Sequence, residues 1–121
     1  MEKKENKLII LSTEFAVEII NLVKMLKEKK ESIISNQIGR SGTSIGANIR
    51  EAQYAQGKAD FISKLKIALK ESNETSYWLE LLIKTGYIEQ EMYNRLDSLC
   101  TNIRVTLIKS CNTVQSKQKL L

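Results

Sequence analysis

Three observations predict an all-α protein built as an antiparallel up-down-up-down four-helix bundle. The 121 residues include no proline and only five glycines, so the usual helix punctuation is nearly missing. Apolar residues recur at three- and four-residue intervals in four long segments, about 8–30, 33–56, 59–85 and 89–115, which is the spacing of one helix face. Only short turns separate the segments, and helices joined that closely pack antiparallel. No linker, low-complexity block or internal repeat divides the chain, so residues 1–121 are read as one domain. A chain of this length buries roughly two thirds of its unfolded surface without a staple.

The first segment places Leu8, Leu11, Phe15, Ile19, Leu22 and Leu26 on a heptad-like seam, with Ala16, Ile20 and Val23 on a second stripe beside it. So wide an apolar face needs two helices, or a helix and another subunit, to cover it. Lys24, Lys27, Lys29 and Lys30 close the segment, where positive charge suits a helix C-terminus. The second segment carries Ile34, Ile38, Ile45, Ile49 and Ala52, and Gly57 is its natural stop. The third is the most regular, running from Phe61, Ile62 and Leu65 to Leu79, Leu82 and Ile83. Gly86 closes it, with Tyr87 and Ile88 placed to pack back as in a Schellman cap. The fourth shows Met92, Leu96, Leu99, Ile103, Leu107 and Val114, followed by the polar tail QSKQKLL, which is expected to fray.

Composition excludes several classes. A hydrophobic share of 42% with 27% charged residues fits an ordinary soluble domain rather than a disordered or fibrous chain. No run of 18 apolar residues suggests a membrane span. The four apolar residues Leu8–Leu11 are too few for a signal-peptide core, so a cytoplasmic location is expected. Cys100 and Cys111 lie eleven residues apart, about 16 Å along one helix, too far to bridge each other. Without histidine, and with no second cysteine close to either thiol, a zinc site is not expected.

The stretch RSGTSIGANIREA, residues 40–52, is the densest local signal. It is no phosphate loop: three residues separate Gly42 from Gly46, and Ala47-Asn48 follow where a Walker loop has Lys and then Ser or Thr. The dinucleotide pattern fails too, since helical spacing rather than a strand precedes it. Read as helix, Gly39, Gly42 and Gly46, with Ser41 and Ala47, strip bulk from one surface and invite close approach by a neighbour. Each glycine costs roughly 1 kcal/mol relative to alanine, so that contact must return several kcal/mol. A glycine-induced break is the competing reading.

Gln37, Arg40, Ser44, Asn48 and Glu51 form a polar stripe on the same segment, and Glu71, Glu74 and Trp78 form another on the third. A di-iron site of the ferritin-like kind needs Glu-x-x-His pairs, and there is no histidine. No nucleophile with an adjacent base accompanies the carboxylates. The chain is therefore read as non-enzymatic, without cofactor or metal. Asn48 and Glu51 are expected to meet arginine or hydroxyl partners on another helix or subunit and so to fix register.

The net charge is +5. It divides as +2, 0, +1 and +2 over residues 1–30, 31–57, 58–88 and 89–121, so no single segment is a basic footprint. The candidates for nucleic-acid contact are Lys24, Lys27, Lys29 and Lys30, then Lys66 and Lys70, then Arg104 and Lys109. Without an aromatic-interleaved basic stripe, such binding would be directed at the backbone, salt-sensitive and weakly sequence-specific.

RSGTSIGANIREAQ followed by DFISKLKIALKESNETSYWLELL resembles the four-helix-bundle family encoded in intervening sequences of bacterial 23S ribosomal RNA genes. The likeness covers about residues 12–88. It rests on Phe15, the Ser44-Ile45-Gly46-Ala47-Asn48-Ile49 core with Glu51-Ala52, Asp60-Phe61, Ala68, Glu71, Glu74 and Tyr77-Trp78-Leu79; the fourth segment is matched by pattern only. The resemblance implies a homopentamer associated with ribosomal RNA. A related branch, the accessory protein of diversity-generating retroelements, is a basic pentamer that binds nucleic acid and a reverse transcriptase. Two readings follow. One is a pentameric scaffold that contacts ribosomal RNA or other nucleic acid through distributed basic residues, with a reverse transcriptase as a further partner if the retroelement branch applies. The alternative is a structural or protein-binding oligomer with no nucleic-acid partner.

Overall fold

The computed structural model describes residues 3–120, with the side chains of residues 7–116. Four helices make up the described chain: α1 (Lys3–Glu28), α2 (Ile33–Ala52), α3 (Lys58–Lys84) and α4 (Gln90–Leu120). Each helix packs on the one before it, and α4 closes on α1. The diagonal pairs α1–α3 and α2–α4 make no close backbone approach among the described residues, as the square cross-section of an up-down-up-down bundle requires. The antiparallel sense shows in the pairings. On α2, Gly42 lies over Ile19 and Gly46 over Ser12; further along, Arg40 reaches Glu71 whereas Glu51 reaches Lys64.

The apolar seams meet in one core. Phe15, Ile19 and Leu26 of α1, Ile38, Ile45 and Ile49 of α2, Leu65, Leu79 and Leu82 of α3, and Leu96, Ile103 and Leu107 of α4 are essentially inaccessible to solvent. The first seam was expected to be buried along its length, and Leu11 is the exception, only half covered. The second α1 stripe divides: Ala16 and Val23 are half-buried while Ile20 is exposed.

The helix ends differ from the sequence reading in instructive ways. α1 stops at Glu28 because Lys30 takes the left-handed conformation at φ 63°, with Glu31 N–H bonded to Leu26 O and Lys30 N–H to Lys27 O. That is the Schellman pattern with lysine where glycine is usual. Gly86, at φ 80°, ends α3 as expected, with Tyr87 N–H on Leu82 O and Gly86 N–H on Ile83 O. Gly57 does not end α2. That helix finishes at Ala52, where the amides of Gln53, Tyr54 and Ala55 turn to carbonyls three residues back. Gly57 instead sits extended, at φ 163°, in the N-cap position of α3. α4 runs on as helix to Leu120, through most of the tail expected to fray.

Glu31 opens α2. Its carboxylate accepts the amides of Ile33, Ile34 and Ser35 at 2.7–3.0 Å, satisfying donors that a helix start leaves orphaned. This accounts for a buried acidic side chain.

Candidate functional site

The glycine stretch lies inside α2, and the helix is continuous through it, so the competing break does not occur. Its small face packs on α1 of the same chain. A Cβ at Gly42 would come within 2.9 Å of two Ile19 carbons, and Ile19 is fully buried with nowhere to go. A Cβ at Gly46 would stand 3.3 Å from Ser12 Oγ, and one at Gly39 would stand 3.3 Å from Val23. The helices approach at a separation that only glycine permits at Gly42. Dispersion contacts made there offset the helix-propensity cost of the glycines.

The polar stripes lie on the other side of α2, along α3. Arg40 is their centre. Its Nη1 donates to Glu71 Oε2 at 2.9 Å, and its Nη2 donates to Glu74. Trp78 Nε1 also donates to Glu74, at 3.0 Å. That indole hydrogen bond, followed by the Arg40 guanidinium, holds the Glu74 carboxyl below its ordinary pKa against the opposing effect of burial. Arg40 is raised in turn, most by its hydrogen bond to Glu74. Beneath the clasp, Ser41 and Thr75 hydroxyls meet at 2.8 Å in the core. The Thr75 proton is already given to Glu71 O at 2.8 Å, so Ser41 is the donor.

Within this chain the stripe meets partners other than the arginine or hydroxyl expected on another helix. Asn48 does not reach another helix: its amide donates to Ser44 O, one turn back, at 2.9 Å. Ser44 likewise donates to Arg40 O. Glu51 meets neither arginine nor hydroxyl but Lys64, at 3.6 Å. Glu51 is thus apart from Glu71 and Glu74, and the three carboxylates do not converge. Both stripes lie along one seam, where Arg40 pairs across to α3 and Asn48 braces its own helix.

The thiols are ordinary core groups. Cys100 Sγ lies 3.4 Å from Ser72 O, and burial pushes the thiols of Cys100 and Cys111 up, away from the thiolate needed for reaction. Burial also raises Tyr93. Each of these shifts favours the charge state the group already holds at neutral pH. Among the described residues no group of three His, Cys, Asp or Glu side chains is placed to hold a metal ion.

The eight basic candidates separate into two groups. Lys24, Lys27, Lys29 and Lys30 gather where the α1–α2 and α3–α4 connections meet, and Lys29 Nζ joins the two by donating to Tyr87 O at 3.1 Å. Lys66 and Lys70 line an open depression on the outer face of α3 with Ser63 and Ile67. Some 14 residues of α3 separate Lys70 from Lys84 at the first end, which puts the groups about 20 Å apart along the bundle. Lys109 is exposed on α4. Arg104 is held in place, donating to Ser76 Oγ at 3.1 Å and Thr101 Oγ1 at 3.2 Å. None of the eight makes an ion pair among the described residues, whereas Arg40, Lys64, Lys84 and Arg95 all do.

Comparison with known families supplies the decisive observation: the model of the 23S rRNA-intervening sequence protein matches residues 4–109. The chain belongs to that family. A solved structure from Bacteroides thetaiotaomicron, a protein of unknown function from the S23 ribosomal protein family, is 57% identical and superposes with a TM-score of 0.88, covering 90% of this chain and 98% of its own. No curated protein matches the chain. Membership in the 23S rRNA-intervening sequence protein family extends through α4 as far as Lys109, a helix that resembles the family by pattern alone when read from sequence. The residues on which the resemblance rests divide by task here. Phe15 and Gly46 belong to the core and the α1–α2 seam, while Ser44, Asn48, Glu51, Glu71, Glu74 and Trp78 lie along the α2–α3 seam. The Ser41–Thr75 pair and the Glu31 cap escaped the sequence reading, since a serine or glutamate in a helical pattern does not disclose its partner.

Proposed function

We propose that this chain is a non-enzymatic cytoplasmic bundle that assembles with itself, as the homopentamer its family resemblance implies, and contacts ribosomal RNA or another nucleic acid through its basic side chains. The observation that carries this reading is the division among the cations. Arg40 and Lys64 on the α2–α3 seam and Arg95 on the α1–α4 seam are neutralised by carboxylates, whereas among the described residues the eight candidates, like Lys7, Arg50 and Lys58, have no ion-pair partner. An unpaired cation on a surface is available to a phosphate, and releasing the counterions around the nucleic acid makes such binding favourable and salt-dependent. Lys66 and Lys70, about 6 Å apart along one helix face, are the strongest pair. Arg104, tied to two hydroxyls, contributes least.

Filter binding of ribosomal RNA fragments at several salt concentrations tests the proposal. The expected result is an affinity that falls steeply with salt, and a Lys66→Gln/Lys70→Gln variant whose log–log slope is shallower by about 2. Absence of binding at low salt, or a flat salt response, overturns it. The alternative, a structural or protein-binding oligomer, is favoured by a different feature, the exposed apolar side chains of Ile10, Val17 and Ile20 on α1.

A further inference from the structure

We propose that the outer face of α1 docks on the outer face of α4 of a second copy of the chain, so that copies join head to tail; this rests on the self-assembly reading above and specifies its surfaces. On α1, Ile10, Val17 and Ile20 are 56%, 54% and 47% exposed. They form one row about 15 Å long on the side away from the core. Among the described residues no other helix presents three exposed apolar side chains in a row: Ile33 opens α2 and Tyr54 lies just past its end, Ile67 lies between Lys66 and Lys70, and Tyr77 rests on Trp78. On α4, Val105 and Ile108 are 43% and 41% exposed.

Charge decides which face meets which. Between residues 8 and 23 the only charged residues are Glu14 and Glu18, and between 98 and 116 they are Arg104 and Lys109. The two apolar faces therefore carry opposite signs. Glu18 is already paired with Arg95 at 2.7 Å and Arg104 is held by Ser76 and Thr101. Glu14 and Lys109 remain, both exposed and both without an ion pair among the described residues. A symmetric α1–α1 contact would put its twofold axis near the middle of the row and set Glu14 against its own copy. A symmetric α4–α4 contact would do the same to Lys109. Crossing α1 with α4 brings Glu14 to Lys109 and covers both apolar faces. Because the two faces differ, each joined copy still offers one of each, and the contact repeats until the rotation closes a ring. Lys109 is then committed to the interface, and the other seven candidates remain for nucleic acid.

Sedimentation equilibrium tests this with two variants, Val17→Glu and Val105→Glu, whose helix content is first compared with that of the unsubstituted chain by circular dichroism. The expected result is an assembly larger than a dimer for the unsubstituted chain and the monomer mass of 13.8 kDa for each variant alone. An equimolar mixture of the variants forms a dimer and nothing larger, since Val17→Glu retains the α4 face and Val105→Glu the α1 face. If the unsubstituted chain is monomeric, the self-assembly reading fails. If it assembles but either variant keeps its full mass, or the mixture stays monomeric, this interface is wrong and self-assembly stands. Should either variant lose helix, Glu14→Lys and Lys109→Glu replace them: each alone weakens assembly, the double exchange restores it, and a double variant no better than the singles overturns the proposal.

Discussion

The side of α1 that faces α2 and the side that faces away from the bundle carry the same kinds of residue under opposite conditions. Ile19 is fully buried against Gly42, while Val17 and Ile20, its near neighbours in sequence, stand about half exposed. What separates them is the surface opposite. On the inner side α2 removes three side chains so that its backbone can approach; on the outer side no part of the described chain arrives. An apolar residue on a helix is thus no sign of a folded contact until its partner is known, and here the partner of the inner side is written into α2 as glycine.

Breaking the inner side should have the largest effect. Gly42→Val forces a branched side chain against a buried Ile19 and is expected to cost about 3 kcal/mol, read as a shift of the urea midpoint. Gly39→Ala is the control, because its Cβ meets only a half-buried Val23 and gains helix propensity; it should stay within about 0.5 kcal/mol of the unsubstituted chain. A loss at Gly39 as large as that at Gly42 would show that glycine matters there for some reason other than approach.

The opposite seam of α2 is held by polar pairs and should break more gently. Ser41→Ala removes one buried hydroxyl donor while Thr75 keeps its bond to Glu71 O, a loss of about 1 kcal/mol. Arg40→Gln leaves Glu71 and Glu74 as neighbouring like charges, yet the clasp is half exposed, so the expected cost is about 1 kcal/mol or less. Its pH dependence has a defined sign. Glu74 titrates below its ordinary value in the folded chain, so the clasp stabilises fully above the unfolded carboxylate pKa of about 4.3. That contribution is lost as pH falls through the lower folded value. The stability difference between Arg40→Gln and the unsubstituted chain should therefore hold steady near neutral pH and shrink in acid. Smallest is the effect of Val17→Glu on the isolated fold, within about 0.5 kcal/mol in chemical denaturation at low chain concentration.

Much of this architecture is legible in the sequence, and the gaps have physical reasons. Spacing reveals a face, so all four helices and most core positions follow from it. It does not say which neighbour covers that face, which is why Ile20 reads as part of a stripe needing burial and proves exposed. Three glycines in one helix point to close approach because nothing else offsets their propensity cost. That α1 of the same chain is the approaching helix requires the fold. Helix ends depend on single backbone conformations: Lys30 in the left-handed region goes against residue preference, and Gly57, which could as well stop α2, serves instead as the N-cap of α3. The polar stripe is visible as a line of residues, but its partners are not. Arg40 reaches across 31 and 34 residues to Glu71 and Glu74, while Asn48 turns back to its own helix.

On the proposed assembly, the inner side of α1 folds the chain and the outer side joins it to the next copy. The thermal midpoint as a function of chain concentration tests it most directly, because assembly stabilises the folded state by mass action. The midpoint of the unsubstituted chain should rise with concentration, that of Gly42→Val should lie lower at every concentration with the rise retained, and that of Val17→Glu should stay flat. An equal rise in Val17→Glu and the unsubstituted chain would contradict it.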